Sequence, residues 1–207
     1  MIAAASDPRI DEVLAVWFGV PGEPPEQRQR RWFVRDPAFD EQLRVHFAAA
    51  LDAAGRGELD GWTGTPRGTL ALVVVLDQFS RNVFRGSARA FAQDDRALAA
   101  TRAAIAAGHD RALSWTERYM LLMPFMHAED RTVQRDSVSA FRALHAEAVA
   151  AGAAAAEIDA VAAAADFAAR HAAIIERFGR YPHRNALLER TSTGDELAFL
   201  TEPGSSF

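Results

Sequence analysis

Three short segments of the chain combine charged or amide side chains with aromatic residues more densely than a helix surface requires. They are residues 77–86 (DQFSRNVFRG), 124–130 (PFMHAED) and 177–185 (RFGRYPHRN). Imidazole, carboxylate and guanidinium groups are the side chains that acid–base catalysis and anion recognition use. We therefore expect the functional residues in these segments, on the condition that the fold brings them together into one polar site.

The first segment places Asp77 and Arg81 four residues apart, so that they share one face of a helix. It follows an apolar run, Leu70 to Leu76, that must be buried, and polar groups that continue a buried helix need partners. We expect Asp77, Arg81 and Asn82 to contribute to a ligand-binding site. The alternative is an ordinary ion pair between Asp77 and Arg81 with a structural role only.

The second segment contains His127, Glu129 and Asp130 within four residues. A histidine general base with a carboxylate that orients it is typical of hydrolases and transferases that act on phosphoester or acyl substrates. In this hypothesis His127 is the base and Glu129 or Asp130 its partner; it is the alternative to a binding module, the function that we favour from the sequence. In a variant of this hypothesis, the same residues bind a divalent metal together with a distant ligand such as His183 or Asp77.

A structural interpretation of the second segment is also open. Asp130 is a suitable N-cap for the next helix, His127 at a helix C-terminus interacts favourably with the helix dipole, and Glu129 is then a solvated residue.

The third segment groups cationic and amide side chains around a turn, in which a glycine ends one helix and a proline begins the next element. Its guanidinium groups would repel one another unless water, acids or an anionic ligand compensated them. We therefore expect a pocket for a small anionic ligand or an acidic peptide; the alternative is arginines bound to helix carbonyls. The candidate binding residues of this segment are Arg177, Arg180, His183, Arg184 and Asn185.

Two further expectations concern the surroundings of the site. Trp17, Trp32 and Phe79 are candidates for an apolar wall of the pocket. His171 lies five residues before Glu176, so the two do not share a helix face, and we expect no ligand role for His171.

The composition excludes several kinds of chemistry. The chain has 207 residues and no cysteine, so it forms no disulfide, thiolate nucleophile or cysteine-ligated zinc site. All 23 cationic residues are arginine, which excludes a Schiff-base lysine and a P-loop lysine.

The net charge of −5 argues against nucleic acid as a partner. Without a signal sequence or an apolar stretch long enough for a membrane helix, we expect a cytoplasmic protein and no membrane partner, and no pattern indicates a particular cofactor.

The elements that must position these residues are helices. Helix starts are indicated by Asp7 with Pro8, by Thr65 with Pro66, and by the capping boxes Ser114–Glu117 and Thr193–Glu196. The apolar run from Leu70 is ambiguous by itself, but it continues to Arg85 without a turn signal, which favours a helix. Residues 22–31 are predicted to be a loop because of Gly22, Pro24 and Pro25.

We predict an all-α fold of about nine helices, packed as antiparallel pairs, with no hairpin signature. No linker is rich enough in glycine or serine to separate two domains, so residues 1–207 are predicted to form one domain, with a disordered tip at 203–207.

The same three segments resemble the motifs of a family of bacterial proteins known as domain-of-unknown-function family 924. LDQFSRNVFRG at 76–86, PFMHAED at 124–130 and RFGRYPHRN at 177–185 are similar to its motifs, and VWFG at 16–19 is similar to its start. The resemblance extends from about Ile10 to Leu200 and implies a bacterial protein with a tetratricopeptide-like helical fold. It implies no activity. Ala128 and Tyr181 depart from the serine and phenylalanine that are usual in the family.

Overall fold

A computed structural model of the chain describes residues 7–20 and 22–205. This part of the chain contains helices and no strand, which confirms the predicted all-α class. Helices α4 and α5 are joined by a π-helical segment, and when the two are counted as one, the described residues form nine α-helices, as predicted. The helices are α1 Pro8–Phe18, α2 Pro25–Phe33, α3 Pro37–Gly55, α4 Pro66–Val73, α5 Ser80–Val83, α6 Asp94–Ala106, α7 Trp115–His127, α8 Arg131–Ala150, α9 Ala155–Phe178 and α10 Gly194–Phe199.

Most helix starts follow the predicted cap chemistry. The side chains of Asp7 and Thr65 accept backbone hydrogen bonds at the first turns of α1 and α4, and each is followed by proline. Both capping boxes form, at Ser114 for α7 and at Thr193 for α10. Helix α9 ends at Gly179, whose φ of 71° is in the left-handed region that favours glycine.

The central element is the continuous helical rod formed by α4, the π-helical segment Val74–Phe79 and α5. Every residue from 68 to 80 is buried, which explains why the sequence there shows an apolar run without helical alternation. The prediction that the run from Leu70 is helical is confirmed. Asp77 lies in the π-helical segment, where its side chain is surrounded by packed helices.

Helices α7, α8 and α9 pack side by side, with the most extensive contact between α8 and α9. The connection between these two helices is only residues 151–154, and so short a connection requires that they run antiparallel. One hydrophobic cluster extends from Ile10 to Ala168, and a smaller one contains Ile174, Ile175 and Tyr181.

The prediction of a loop at residues 22–31 is wrong, because α2 begins at Pro25. Proline is tolerated at the first position of a helix, and the Gln and Arg residues that follow it are good helix formers.

The prediction that Trp17, Trp32 and Phe79 form an apolar wall of the pocket also needs correction. Trp17 and Phe79 are fully buried and pack against each other in the hydrophobic core, so neither of them lines an open pocket.

Nothing in the described residues decides the single-domain assignment, the packing of all helices as antiparallel pairs or the tetratricopeptide-like detail, and these stay predictions. So does the disordered tip at 203–207. Within it, Ser205 is buried and its hydroxyl donates to the carbonyl of Leu200 at 3.2 Å, and residues 206 and 207 lie outside the described residues. None of the helices described is long and apolar enough to span a membrane.

Candidate functional site

The three predicted segments meet in a closed circuit of seven side chains, which we call the polar ring. Each member contacts the next through a hydrogen bond, an ion pair or a contact with an aromatic ring, and the last contacts the first. The members come from the central rod, from α6, α7 and α9, and from the turn after α9. In order around the ring they are Asp77, Arg81, Asp94, Arg184, Tyr181, His171 and His127.

The shortest contact in the polar ring joins Asp77 and His127. His127 Nδ1 lies 2.6 Å from Asp77 Oδ1, and because a carboxylate only accepts hydrogen bonds, Nδ1 carries the proton and donates it. In a neutral imidazole the proton on Nδ1 leaves Nε2 with its lone pair. Asp77 is fully buried, whereas the His127 side chain retains 12% exposure. The pair therefore presents a basic nitrogen backed by a buried carboxylate.

The π-helical segment holds Asp77 in place. The extra residue per turn in a π-helix shifts the side chains that follow it, and such segments often occur at functional sites. The amide of Gln78 donates to Asp77 Oδ2. Burial by itself would raise the pKa of Asp77. The attraction of its carboxylate to the protonated form of His127 and to Arg81, with the hydrogen bonds from His127 and Gln78, outweighs burial and holds that pKa below its ordinary value.

His127 is the last residue of α7, and the end of that helix is fixed by side chains from two other parts of the chain. The Gln134 amide donates to the carbonyls of Met126 and Ala128 at 2.8 and 2.7 Å. The Tyr181 hydroxyl also donates to the Met126 carbonyl. These bonds satisfy buried carbonyls that have no partner within α7, so they also determine where the His127 ring lies.

Asp94 joins two arginines. Its carboxylate accepts two hydrogen bonds from Arg81, at 2.9 and 3.1 Å, and one from Arg184 at 3.0 Å. Arg81 also lies 3.5 Å from Asp77. The two carboxylates balance the two guanidiniums, so the polar ring is close to neutral when its imidazoles are uncharged.

Two further imidazoles lie near the pair of Asp77 and His127, the buried His171 and the half-buried His183. The His171 ring packs edge-on against His127 and Tyr181, with centroids 6.3 and 5.7 Å apart, and the His183 ring lies 5.6 Å from that of Tyr181. Burial, together with neighbouring positive charges, lowers the pKa of His171 to about 3 and that of His183 to about 4. Burial and the charge of Arg81 likewise lower the pKa of His127, so all three imidazoles are neutral at pH 7.

His127 is hydrogen-bonded to the carboxylate of Asp77 and not to Glu129 or Asp130, so the pairing expected from the sequence is wrong. Asp130 caps α8 by accepting from the Val133 amide at 2.9 Å. Glu129 accepts two hydrogen bonds from Arg190, at 2.6 and 3.0 Å, and one from the Tyr181 amide, so it fixes the turn after α9. Burial opposes the charge on Glu129, but these bonds hold its pKa below the ordinary value.

Five of the predicted binding residues lie outside the polar ring, and one of them is His183, which packs against Tyr181. Asn82 donates to Asp40 at 2.8 Å, and Asn185 donates to the Ser192 hydroxyl at 3.0 Å. Arg180 makes a two-bond ion pair with Glu196, and Arg177 is exposed and lies over the rings of Phe178 and Phe199. The two arginines line an open cleft of about 360 Å³ with Asp195 and Glu196, whose carboxylates balance their charge.

The proposed metal variant has no support in this geometry. Within residues 7–20 and 22–205, no group of three or more histidine, aspartate or glutamate side chains is placed to hold a metal ion. Asp77 and Glu129, which the variant uses, are both engaged with other side chains.

Sequence analysis missed three members of the ring. Asp94 stands at the start of α6 beside Asp95, where acidic residues are common for helix stability alone. His171 was excluded as a ligand by its spacing from Glu176, but its partners come from other elements. Tyr181 lies within the third segment, but only the charged and amide residues of that segment are predicted to bind a ligand. The helical pattern of α9 places His171 on the buried face, and this is the sequence signal that indicates a buried histidine there.

The comparisons with known proteins agree with the fold and say nothing about activity. No curated protein matches the chain. A solved structure, that of the protein of unknown function ATU0120 from Agrobacterium tumefaciens, is similar over 94% of this chain and 97% of that chain, with 34% sequence identity and a TM-score of 0.77. The model of the family described as "bacterial protein of unknown function (DUF924)" matches residues 13–204. The chain therefore belongs to the bacterial protein family DUF924.

Proposed function

We propose that the protein is a hydrolase or transferase in which His127 acts as a general base and Asp77 orients it. The observation on which this proposal depends is the 2.6 Å hydrogen bond from His127 Nδ1 to a fully buried carboxylate. That bond holds the ring in one orientation and one tautomer and stabilises the imidazolium that forms when Nε2 takes a proton. The substrate is an acyl or phosphoester compound. A water or hydroxyl group gives its proton to Nε2 as its oxygen bonds to the carbonyl carbon or the phosphorus, and the imidazolium returns that proton to the leaving oxygen as the ester bond breaks.

The surroundings of His127 support this role. Its lowered pKa keeps the ring unprotonated at pH 7, so Nε2 is available as a base. Arg81 and Arg184 lie in the same ring of contacts and are suited to stabilising negative charge that develops on the substrate. The residual exposure of His127, Arg81 and Asp94, between 12% and 19% of each side chain, leaves a route by which a substrate reaches them.

A purely structural ion network is the second candidate. The observation in its favour is that Arg81 and Arg184 share Asp94, so that three elements distant in sequence are held by charged hydrogen bonds. A network of this kind needs no basic nitrogen, and it predicts that His127 affects only stability.

A panel of chromogenic aryl phosphates, aryl phosphodiesters and carboxylic esters tests the proposal. We expect the wild-type protein to hydrolyse at least one class. His127→Asn keeps a side-chain donor near Asp77 but removes the base, and it should reduce kcat/KM about 10²-fold to 10⁴-fold. His46→Asn, at an exposed position of α3, is the matched control and should retain full activity.

Circular dichroism and thermal unfolding of both variants show whether the His127→Asn protein is folded. The proposal is contradicted by a panel without turnover, or by a folded His127→Asn protein that is as active as the wild type. The second result, combined with a loss of stability, would favour the structural network.

A further inference from the structure

Arg184 has hydrogen-bonding capacity that the protein does not use. Its Nη1 donates to Asp94, but its Nε–H is buried and has no acceptor among the residues that the structure describes. Arg184 as a whole is only 5% exposed, so Nε is not compensated by bulk water. A buried donor without an acceptor is costly and is uncommon in folded proteins unless a ligand or another group completes it.

Arg81 provides the contrast within the same ring. Its two terminal nitrogens donate to both oxygens of Asp94 and to the carbonyl of Ala90. Arg81 is therefore occupied by the protein itself, whereas Arg184 is held by a single hydrogen bond to a carboxylate that it shares.

Two aromatic rings fix the position of the Arg184 guanidinium. Its central carbon lies 4.5 Å from the ring centre of Phe91 and 4.7 Å from that of Tyr181. Both distances lie within the range of cation–π contacts, which hold a guanidinium by attraction to the aromatic ring and supply no oxygen acceptor for its N–H groups. The site is preorganised, because neither the position nor the burial of Arg184 depends on a ligand.

We infer that Arg184 binds a carboxylate group of the substrate. This inference rests on the proposed function, since it names the group by which the substrate of His127 is held. The guanidinium edge that includes Nε matches the two oxygens of a carboxylate.

The charges of the ring favour a monoanion over a dianion. Asp77 and Asp94 already balance Arg81 and Arg184, and the imidazoles are neutral at pH 7. A carboxylate adds one negative charge to this neutral group, whereas the dianionic form of a phosphate adds two close to Asp94. The substrate class is therefore an ester or related acyl compound that also contains a free carboxylate.

Titration of ¹⁵N-arginine-labelled protein with acetate, benzoate or inorganic phosphate at constant ionic strength tests the inference. We expect acetate and benzoate to shift the Arg184 Nε–H resonance saturably, and phosphate to bind more weakly. Arg184→Lys keeps the charge but removes the Nε donor, and it should weaken carboxylate binding at least about ten-fold, since hydrogen bonds between charged groups are strong. Arg177→Lys, at an exposed arginine outside the ring, is the control and should bind as the wild type does.

Three results would overturn the inference: no saturable shift, equal affinity in Arg184→Lys, or phosphate binding as tight as carboxylate binding. A wild-type crystal soaked in acetate gives an answer that needs no variant, because electron density for acetate against Arg184 is expected and its absence there counts against the site. The test is separate from that of the proposed function. His127→Asn should still bind acetate, so binding without turnover contradicts only the catalytic role, and His127-dependent turnover without carboxylate binding contradicts only this inference.

Discussion

Asp77 and His127, 50 residues apart in the sequence, are joined by a 2.6 Å hydrogen bond between a fully buried carboxylate and a partly exposed imidazole. The bond links the central rod to the end of α7, and both ends are fixed by further hydrogen bonds. Gln78 holds the carboxylate, and Gln134 and Tyr181 hold the end of the helix. The pair is therefore rigid before any substrate binds, as a general base and its orienting partner need to be.

Asp77→Asn tests whether the two residues act as one unit. The variant preserves the side-chain shape but replaces a charged acceptor with an amide, so the imidazolium formed during the reaction loses its stabilising charge. We expect kcat/KM on the best substrate of the panel to fall about 10²-fold or more. Because the residues act together, the double variant with His127→Asn should lose no more activity than His127→Asn alone. Multiplicative losses would show that Asp77 acts independently of His127.

Arg81→Ala tests the stability of the ion network. Arg81 is mostly buried and bridges Asp77 and Asp94, and its removal leaves two carboxylates without their main positive partner. We expect the free energy of unfolding in urea to fall by about 3 to 5 kcal/mol. Arg67→Ala removes an exposed arginine that pairs with Asp11, and it should cost no more than about 1 kcal/mol. Similar small losses in both proteins would mean that the network around Asp94 contributes little.

The amide of Gln134 should matter more than the hydroxyl of Tyr181. Gln134→Leu removes the donor shared by the carbonyls at the end of α7, and we expect it to destabilise the protein by about 1 to 3 kcal/mol. Tyr181→Phe removes one donor to Met126, whose carbonyl keeps its bond to Gln134, and should cost about 1 kcal/mol. Denaturant unfolding of both variants measures the difference, and the reverse order would contradict the assignment of Gln134 as the main cap of α7.

Two imidazoles, the buried His171 and the half-buried His183, make stability depend on pH. The folded-state pKa values of about 3 for His171 and about 4 for His183 are below the ordinary value of 6.5, so between these limits the unfolded chain binds protons that the folded protein does not. Stability is therefore complete above about pH 6.5 and declines as the pH falls, by about 1.4 kcal/mol per pH unit for each histidine.

Urea unfolding between pH 7 and pH 4.5 measures this slope. His171→Gln removes one of the titrating groups and should lower the slope by about 1.4 kcal/mol per pH unit. His46→Gln, at an exposed position, is the control and should leave the slope unchanged. An unchanged slope in His171→Gln would show that His171 is not held neutral in the folded protein.

The fold was more predictable from the sequence than the site was. Caps such as Ser114 with Glu117 act through neighbouring residues, and the length of the apolar run from Leu70 favours a helix over a strand, so local chemistry predicts these elements. Helix α2 was missed because its prolines were interpreted as breakers, although proline at the first helical position is compatible with a helix.

The site depends on contacts that no local pattern encodes. Four of the predicted residues, Asp77, Arg81, His127 and Arg184, do lie in the polar ring, because dense polar residues after buried stretches need partners. The partner of His127 was assigned to Glu129 or Asp130 because they are adjacent in sequence, but helix α7 points its last residue toward the central rod. Asp94 and His171 belong to helices whose sequences look ordinary, and only the packing of those helices brings them to the site.

The tautomer of His127 in the wild-type protein tests the central claim most directly. Long-range ¹H–¹⁵N correlation spectra of ¹⁵N-histidine-labelled protein at pH 7 report the protonation of each ring nitrogen. We expect a neutral ring with the proton on Nδ1 and an unprotonated Nε2. In Asp77→Asn we expect the ring no longer to be held in this single tautomer. A proton on Nε2 in the neutral ring, or a doubly protonated ring at pH 7, would contradict the proposed role, because His127 would then have no lone pair available for the substrate.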